Sequence, residues 1–165
     1  MDCRNKSGND TLGSQMTTIL TWNVQAGLGC DGVTDLGRIA ATIRARDPDV
    51  ICLQEVARNV PDMAGGEDQA ERLAGLFPGY QPVFGAAIDR AGAGTRLRFG
   101  NLVLSRLPVL QAFAHPLPQP AAPGVKHMPR QATEIVADTA SGPMRVVTTH
   151  FEYHAEIQRI AQAEY

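Results

Sequence analysis

Apolar positions come first in two short, nearly unbroken runs, Thr18-Ile19-Leu20-Thr21-Trp22-Asn23 and Val50-Ile51-Cys52-Leu53-Gln54-Glu55. Each run stops at an oxygen-bearing polar side chain. A strand buried on both faces reads as a continuous hydrophobic run, so strands are predicted over about 17–23 and 50–54. Between them the period changes. Leu36, Ile39, Ala40 and Ile43 fall at i, i+3, i+4 and i+7, the spacing of one helix face, with Thr34 or Asp35 as the cap. Asp47-Pro48-Asp49 ends that helix, because proline cannot continue it and restricts the residue before it. A strand, a crossing helix and a second apolar strand predict a parallel or mixed sheet.

A second helix is predicted over 68–76, closed by Pro78-Gly79. Beyond it the pattern favours short strands at 81–87, 102–105, 109–114, 133–137 and 144–149. Turns rich in glycine and proline separate them at 92–94, 116–124 and Ser141-Gly142-Pro143. The last segment, 155–165, places Ile157, Ile160 and Ala161 at helical spacing. These strands have few helices to cover them, although apolar faces are normally buried in layers. The expectation is part of a larger domain, with Val103, Val109, Val136 and Val147 incompletely covered. Residues 1–15 are polar and rich in Gly, Ser, Asn and Asp, and are expected to form a disordered tail ahead of a domain over 16–165. Met16, directly before the first strand, is a candidate natural start.

With 165 residues the chain is long enough for one domain. Its net charge of −2 argues against a surface built for indiscriminate nucleic-acid binding, though not against nucleic acid as a substrate. Three cysteines, Cys3, Cys30 and Cys52, form no paired spacing, and Cys52 reads as a reduced thiol in a buried strand. No segment has the apolar core of a signal peptide or the roughly 18 apolar residues of a membrane span. The expected compartment is the cytoplasm.

Gly27-Leu28-Gly29-Cys30-Asp31-Gly32 matches the glycine fingerprint of dinucleotide-binding folds. In such folds the third glycine already lies in the helix, so that its amides face the pyrophosphate. Here helix-start signals appear only at Thr34 and Asp35, and Asn23 and Gln25 interrupt the strand. A loop at the rim of a site is the better reading.

An amide oxygen and a carboxylate at strand exits suit Mg²⁺, which prefers hard oxygen ligands and keeps positions for water and phosphate. Four segments stand in order: Thr21-Trp22-Asn23-Val24, Leu53-Gln54-Glu55-Val56, Gly100-Asn101-Leu102-Val103-Leu104-Ser105-Arg106 and Val146-Val147-Thr148-Thr149-His150. From about Met16 to its end the chain resembles the endonuclease/exonuclease/phosphatase superfamily. The run from His154 to Gln162 is similar to the helix that follows the histidine strand in bacterial members.

The resemblance implies an α/β (α+β) fold, a four-layer α/β/β/α sandwich of two mixed sheets, present here in part. It implies a divalent-metal-dependent phosphoesterase of nuclease or phosphatase type. Glu55 would hold Mg²⁺ or Mn²⁺, Asn23 would help position the ion and its water, and His150 would contact the scissile phosphate. Asn101 matches more loosely, as a residue lining the same cleft. The substrate would be a phosphoester in a nucleic acid, a phospholipid or a soluble phosphate, and no stable protein partner is implied. The family's Gly-Asp-x-Asn and Ser-Asp-His segments have no counterpart after His150, where the carboxylates are Glu152, Glu156 and Glu164. Low or absent turnover is therefore expected, and a non-catalytic remnant or binding module of the same fold is the alternative.

Other candidates weigh less. His150 and His154 are four apart, but the first ends a strand, so they would not form a zinc pair on one helix. His115 and His127 sit in proline-rich loops without companions and read as structural or solvated, and Arg106 reads as a surface charge.

Overall fold

In a computed structural model, residues 16–165 are described; the expected tail and Cys3 lie outside them. Strand β1 (Ile19–Asn23) runs parallel to β2 (Val50–Arg58), with Ile19 paired to Val50 and Asn23 to Gln54. Between them lies helix α1 (Leu36–Arg44), capped by Asp35, whose carboxylate accepts from the Arg38 amide. Such a cap satisfies an amide that the helix itself leaves unbonded. Helix α2 (Gln69–Leu76) starts the same way at Asp68.

The strands after α2 are longer than their apolar runs suggest. Strands β3 (Gln81–Ala91) and β4 (Arg96–Ser105) form one long hairpin, closed where the Gly92 amide donates to the Thr95 carbonyl. Polar Asp89, Arg96 and Arg98 pair with one another on the exposed end of that hairpin, which is why the apolar pattern misses it. A methyl group on Gly100 would collide with the Gly85 carbonyl, so only glycine permits this approach of β3 and β4. The first sheet has the order β1-β2-β4-β3. A second, antiparallel sheet follows in the order β5 (Val109–Pro116), β6 (Gln131–Thr139) and β7 (Gly142–Thr149). Among the described residues the result is a mixed α/β fold of two sheets and three α-helices.

Two apolar layers hold it. On one face of the first sheet, Ile51, Leu53, Leu102 and Leu104 pack against Ile39 and Ile43 of α1 and Leu73 and Phe77 of α2. On the other face, Val50, Cys52 and Val103 meet Ile135, Ala137 and Val146 of the second sheet. Each fully buried Leu or Ile contributes about 1.5–3 kcal/mol. Val103 is thus completely buried, contrary to expectation, because the second sheet covers it. Val109 and Val136 are half-buried, and Val147 is 53% exposed on the outer face of the second sheet.

Helix α3 (Glu156–Ala163) departs most from its pattern. Ile157 and Ile160 point outward, 55% and 50% exposed, while Gln158 and Gln162 are buried. The surface beneath α3 is polar backbone: Gln158 donates to the Pro120 carbonyl and Gln162 to that of Pro118. A glutamine can satisfy those carbonyls and an isoleucine cannot. Among the described residues no helix is long and apolar enough to cross a membrane.

Candidate active site

The site forms where β1, β2 and β7 reach the same end of the two sheets. The sequence reading ends β2 at Gln54, whereas the strand continues to Arg58 through a register shift between Leu53 and Val56. Glu55 sits in that shift with φ of 60°. A non-glycine residue held at positive φ costs about 1–3 kcal/mol and persists only where its surroundings enforce it. A bulge re-aims a side chain, and this one turns the Glu55 carboxylate out of the sheet alternation and towards the end of β7. Beneath it, buried Gln54 donates to the hydroxyls of Thr21 (3.0 Å) and Thr148 (2.7 Å), tying β1, β2 and β7 together.

Asn23, Glu55 and His150 converge. Asn23 Nδ2 lies 3.0 Å from Glu55 Oε1 and 3.3 Å from His150 Nδ1, and His150 Nε2 lies 3.5 Å from Glu55 Oε1. Asn23 Oδ1 accepts from the Gln25 amide at 3.0 Å, at the start of a short turn where Gln25 and Ala26 also take positive φ. An amide nitrogen can only donate, so Nδ1 of a neutral His150 is the acceptor and its proton sits on Nε2, facing the carboxylate and the cleft. Burial lowers the His150 pKa below that of an ordinary imidazole. Arg130 lowers it further, partly offset by Glu55 and Glu152.

Asn101 is brought to the inner wall rather than to the opening. It is buried and donates to the carbonyls of Gln131 (3.1 Å) and Thr148 (3.4 Å), stitching the two sheets behind Glu55 and His150. The open cleft has a volume of about 570 Å³. Lys126 and His127 line one wall with Met128 and Arg130, and Tyr153 and His154 line another. No sequence motif marks Lys126, Arg130 or Tyr153, and His127, expected to be structural or solvated, lines the cleft with them. These residues stand on irregular segments, where no periodicity marks an inward face.

Among the described residues no three His, Cys, Asp or Glu side chains cluster to cage a metal. That excludes a closed zinc-type site among them. It fits Mg²⁺ or Mn²⁺, which needs one or two carboxylates and takes its other ligands from water and substrate phosphate. Glu55 has the required carboxylate. Asn23 turns its amide nitrogen to Glu55 and His150, while its Oδ1 accepts one bond from the Gln25 amide and keeps a second lone pair.

The other candidates fall outside this constellation. The 27–32 glycine segment precedes α1 by several residues, and Arg38 pairs with Asp31 across it (2.6 Å). Arg106 staples the α1–β2 turn through Asp47 (2.7 Å) and Asp49 (2.8 Å). His115 pairs with Glu134 on the second sheet. His154 lies in the turn before α3, not on a helix with His150.

Comparison with curated proteins finds no match. Among solved structures, the endonuclease/exonuclease/phosphatase from Beutenbergia cavernae is 35% identical with a TM-score of 0.68, over 82% of this chain and 38% of that one. TDP2 of D. rerio complexed with single-strand DNA product is 19% identical, TM-score 0.58, over 83% of this chain and 46% of that one. The human Nocturnin catalytic domain with bound sulfate is 19% identical, TM-score 0.56, over 88% and 54%. The chain thus spans between about a third and a little over half of these relatives. The model of the Endonuclease/Exonuclease/phosphatase family matches residues 20–164, and the chain belongs to that family.

Proposed function

We propose that this cleft hydrolyses phosphoesters with the help of Mg²⁺ or Mn²⁺. The observation that carries the reading is the meeting of Asn23 at the end of β1, Glu55 in the bulge of β2 and His150 just after β7, beside a wall bearing Lys126 and Arg130. Glu55 would hold the metal. Asn23 would orient the Glu55 carboxylate and a neighbouring water. His150 would direct its Nε2 proton at a phosphoryl oxygen, and Asn101 would keep the wall behind them rigid. When bound, the metal supplies charge neutralisation at phosphorus and activation of water. Donors fixed before the reaction need no reorganisation as charge develops. The substrate class is a phosphodiester or phosphomonoester in a nucleic acid, phospholipid or soluble phosphate, met in the cytoplasm.

A binding role without turnover is the second reading, favoured by the supply of bases. Among the described residues, Glu55 and Glu152 are the carboxylates lining the cleft. Glu55 is assigned to the metal and Glu152 is tied up by backbone amides. Neither is free to deprotonate water. Two measurements separate the readings: Mn²⁺ binding by electron paramagnetic resonance, and hydrolysis of bis(p-nitrophenyl) phosphate. Metal binding that disappears in Glu55→Gln supports the site. Metal binding that survives the substitution refutes it.

A further inference from the structure

The cleft contains a buried ion pair that the roles above leave unused. The Glu152 side chain is 0% exposed and that of Arg130 is 9% exposed, with Arg130 Nε 3.4 Å from Glu152 Oε2. Glu152 is richly satisfied: it also accepts from the amides of His154 (2.8 Å) and Met128 (3.2 Å). Its own amide donates to Gln162 of α3 at 2.8 Å, and Arg159 donates to its carbonyl. The carboxylate is therefore locked between the segment before β6, the turn after β7 and the last helix.

Arg130 is not satisfied in the same way. Nε is the one atom of its side chain with a hydrogen bond among the described residues; the η nitrogens have no protein acceptor there. The side chain borders the open cleft and the small inner cavity, in both cases beside His150 and Glu55. The η nitrogens stay open to the cleft, since no Arg130 nitrogen is both buried and without a partner. A planar fork of donors with no partner, facing a cavity, has the geometry that takes two oxygens of a phosphate.

We propose that Arg130 binds the substrate's phosphoryl oxygens through its η nitrogens and that buried Glu152 is the positioning residue that aims it. This rests on the phosphoesterase reading but requires no metal. Glu152 holds Nε, which leaves the outer edge of the guanidinium to the ligand. Because Glu152 is also fixed by Gln162, the aim of Arg130 depends on how α3 is docked.

The test is binding of inorganic phosphate to the metal-free 165-residue chain, followed by ³¹P NMR at low ionic strength, with folding checked by circular dichroism. Arg130→Gln should weaken phosphate binding by about tenfold or more, the effect of losing charge-assisted hydrogen bonds. Arg130→Lys keeps the charge and loses the fork, and should lie between the two. Lys126→Gln, on the same wall but exposed, should cost less than Arg130→Lys. Glu152→Gln should weaken binding in wild type and leave Arg130→Gln no weaker than before, a non-additivity that a purely structural Glu152 would not produce. Equal phosphate affinity in wild type and Arg130→Gln would overturn the proposal, as would no phosphate binding by the folded wild type. Mn²⁺ binding that depends on Glu55 is read in a separate experiment, so failure of the metal reading is seen independently.

Discussion

The Glu55 carboxylate reaches Asn23 at 3.0 Å although Asn23 is paired in the sheet with Gln54, not with Glu55. In a regular strand Glu55 would point to the face opposite Gln54, among the residues that pack on α1 and α2. The bulge at Leu53–Val56 consumes that alternation and returns Val56 to the helix-side core while Glu55 joins Asn23. One irregular residue creates the site.

That strain can be measured. Glu55→Gly should stabilise the fold by about 1 kcal/mol, because glycine adopts φ of 60° without steric cost, while abolishing Mn²⁺ binding. Urea denaturation of both proteins checks it; a destabilised Glu55→Gly would mean that side-chain contacts outweigh the backbone term.

Gln54 should be the polar keystone beneath the cleft. Gln54→Leu leaves the hydroxyls of Thr21 and Thr148 without their shared donor and should cost about 1–3 kcal/mol. Chemical denaturation with unchanged m-value is the expected signature.

Acid should expose the role of Glu152. Burial alone would raise its pKa, but the amides of His154 and Met128, with Arg130, pull it from the ordinary 4.5 to about 2. A depressed carboxylate stabilises the fold above its unfolded pKa and loses that contribution as pH falls through the folded value. Stability should therefore drop by up to about 3 kcal/mol between pH 4.5 and 2. Thermal melts of Glu152→Gln over the same range should show a shallower dependence.

The last helix should respond against its sequence pattern. Ile157→Lys, on an exposed position, should change stability by no more than about 0.5 kcal/mol. Gln162→Leu removes an acceptor from the Glu152 amide and a donor to Pro118, and should cost about 1–3 kcal/mol. Melting temperatures of the two variants should rank in that order.

Turnover by this chain should be slow. General-base catalysis contributes about 10²- to 10⁴-fold; on the proposed reading Glu55 is given to the metal, and Glu152 is held by the amides of Met128 and His154. Hydrolysis of bis(p-nitrophenyl) phosphate with Mn²⁺ should stay near background; robust turnover lost in Glu55→Gln would show that the base lies among the described residues.

The residue pattern alone was enough for helices α1 and α2, for a parallel or mixed sheet flanking α1, and for the abrupt polar stops at Asn23, Glu55 and His150. These are local matters: periodicity, capping chemistry and abrupt polar stops are written in neighbouring residues. Long-range packing set the continuation of β2 past Glu55 through a bulge, the covering of Val103, and the burial of glutamines rather than isoleucines by α3. It alone brought Arg130 and Glu152 together, 22 positions apart, at the wall of the cleft. Each of those outcomes depends on what a distant segment presents, whether an apolar sheet face, a row of proline carbonyls or an opposite charge. No pattern within a single element encodes its neighbour's chemistry.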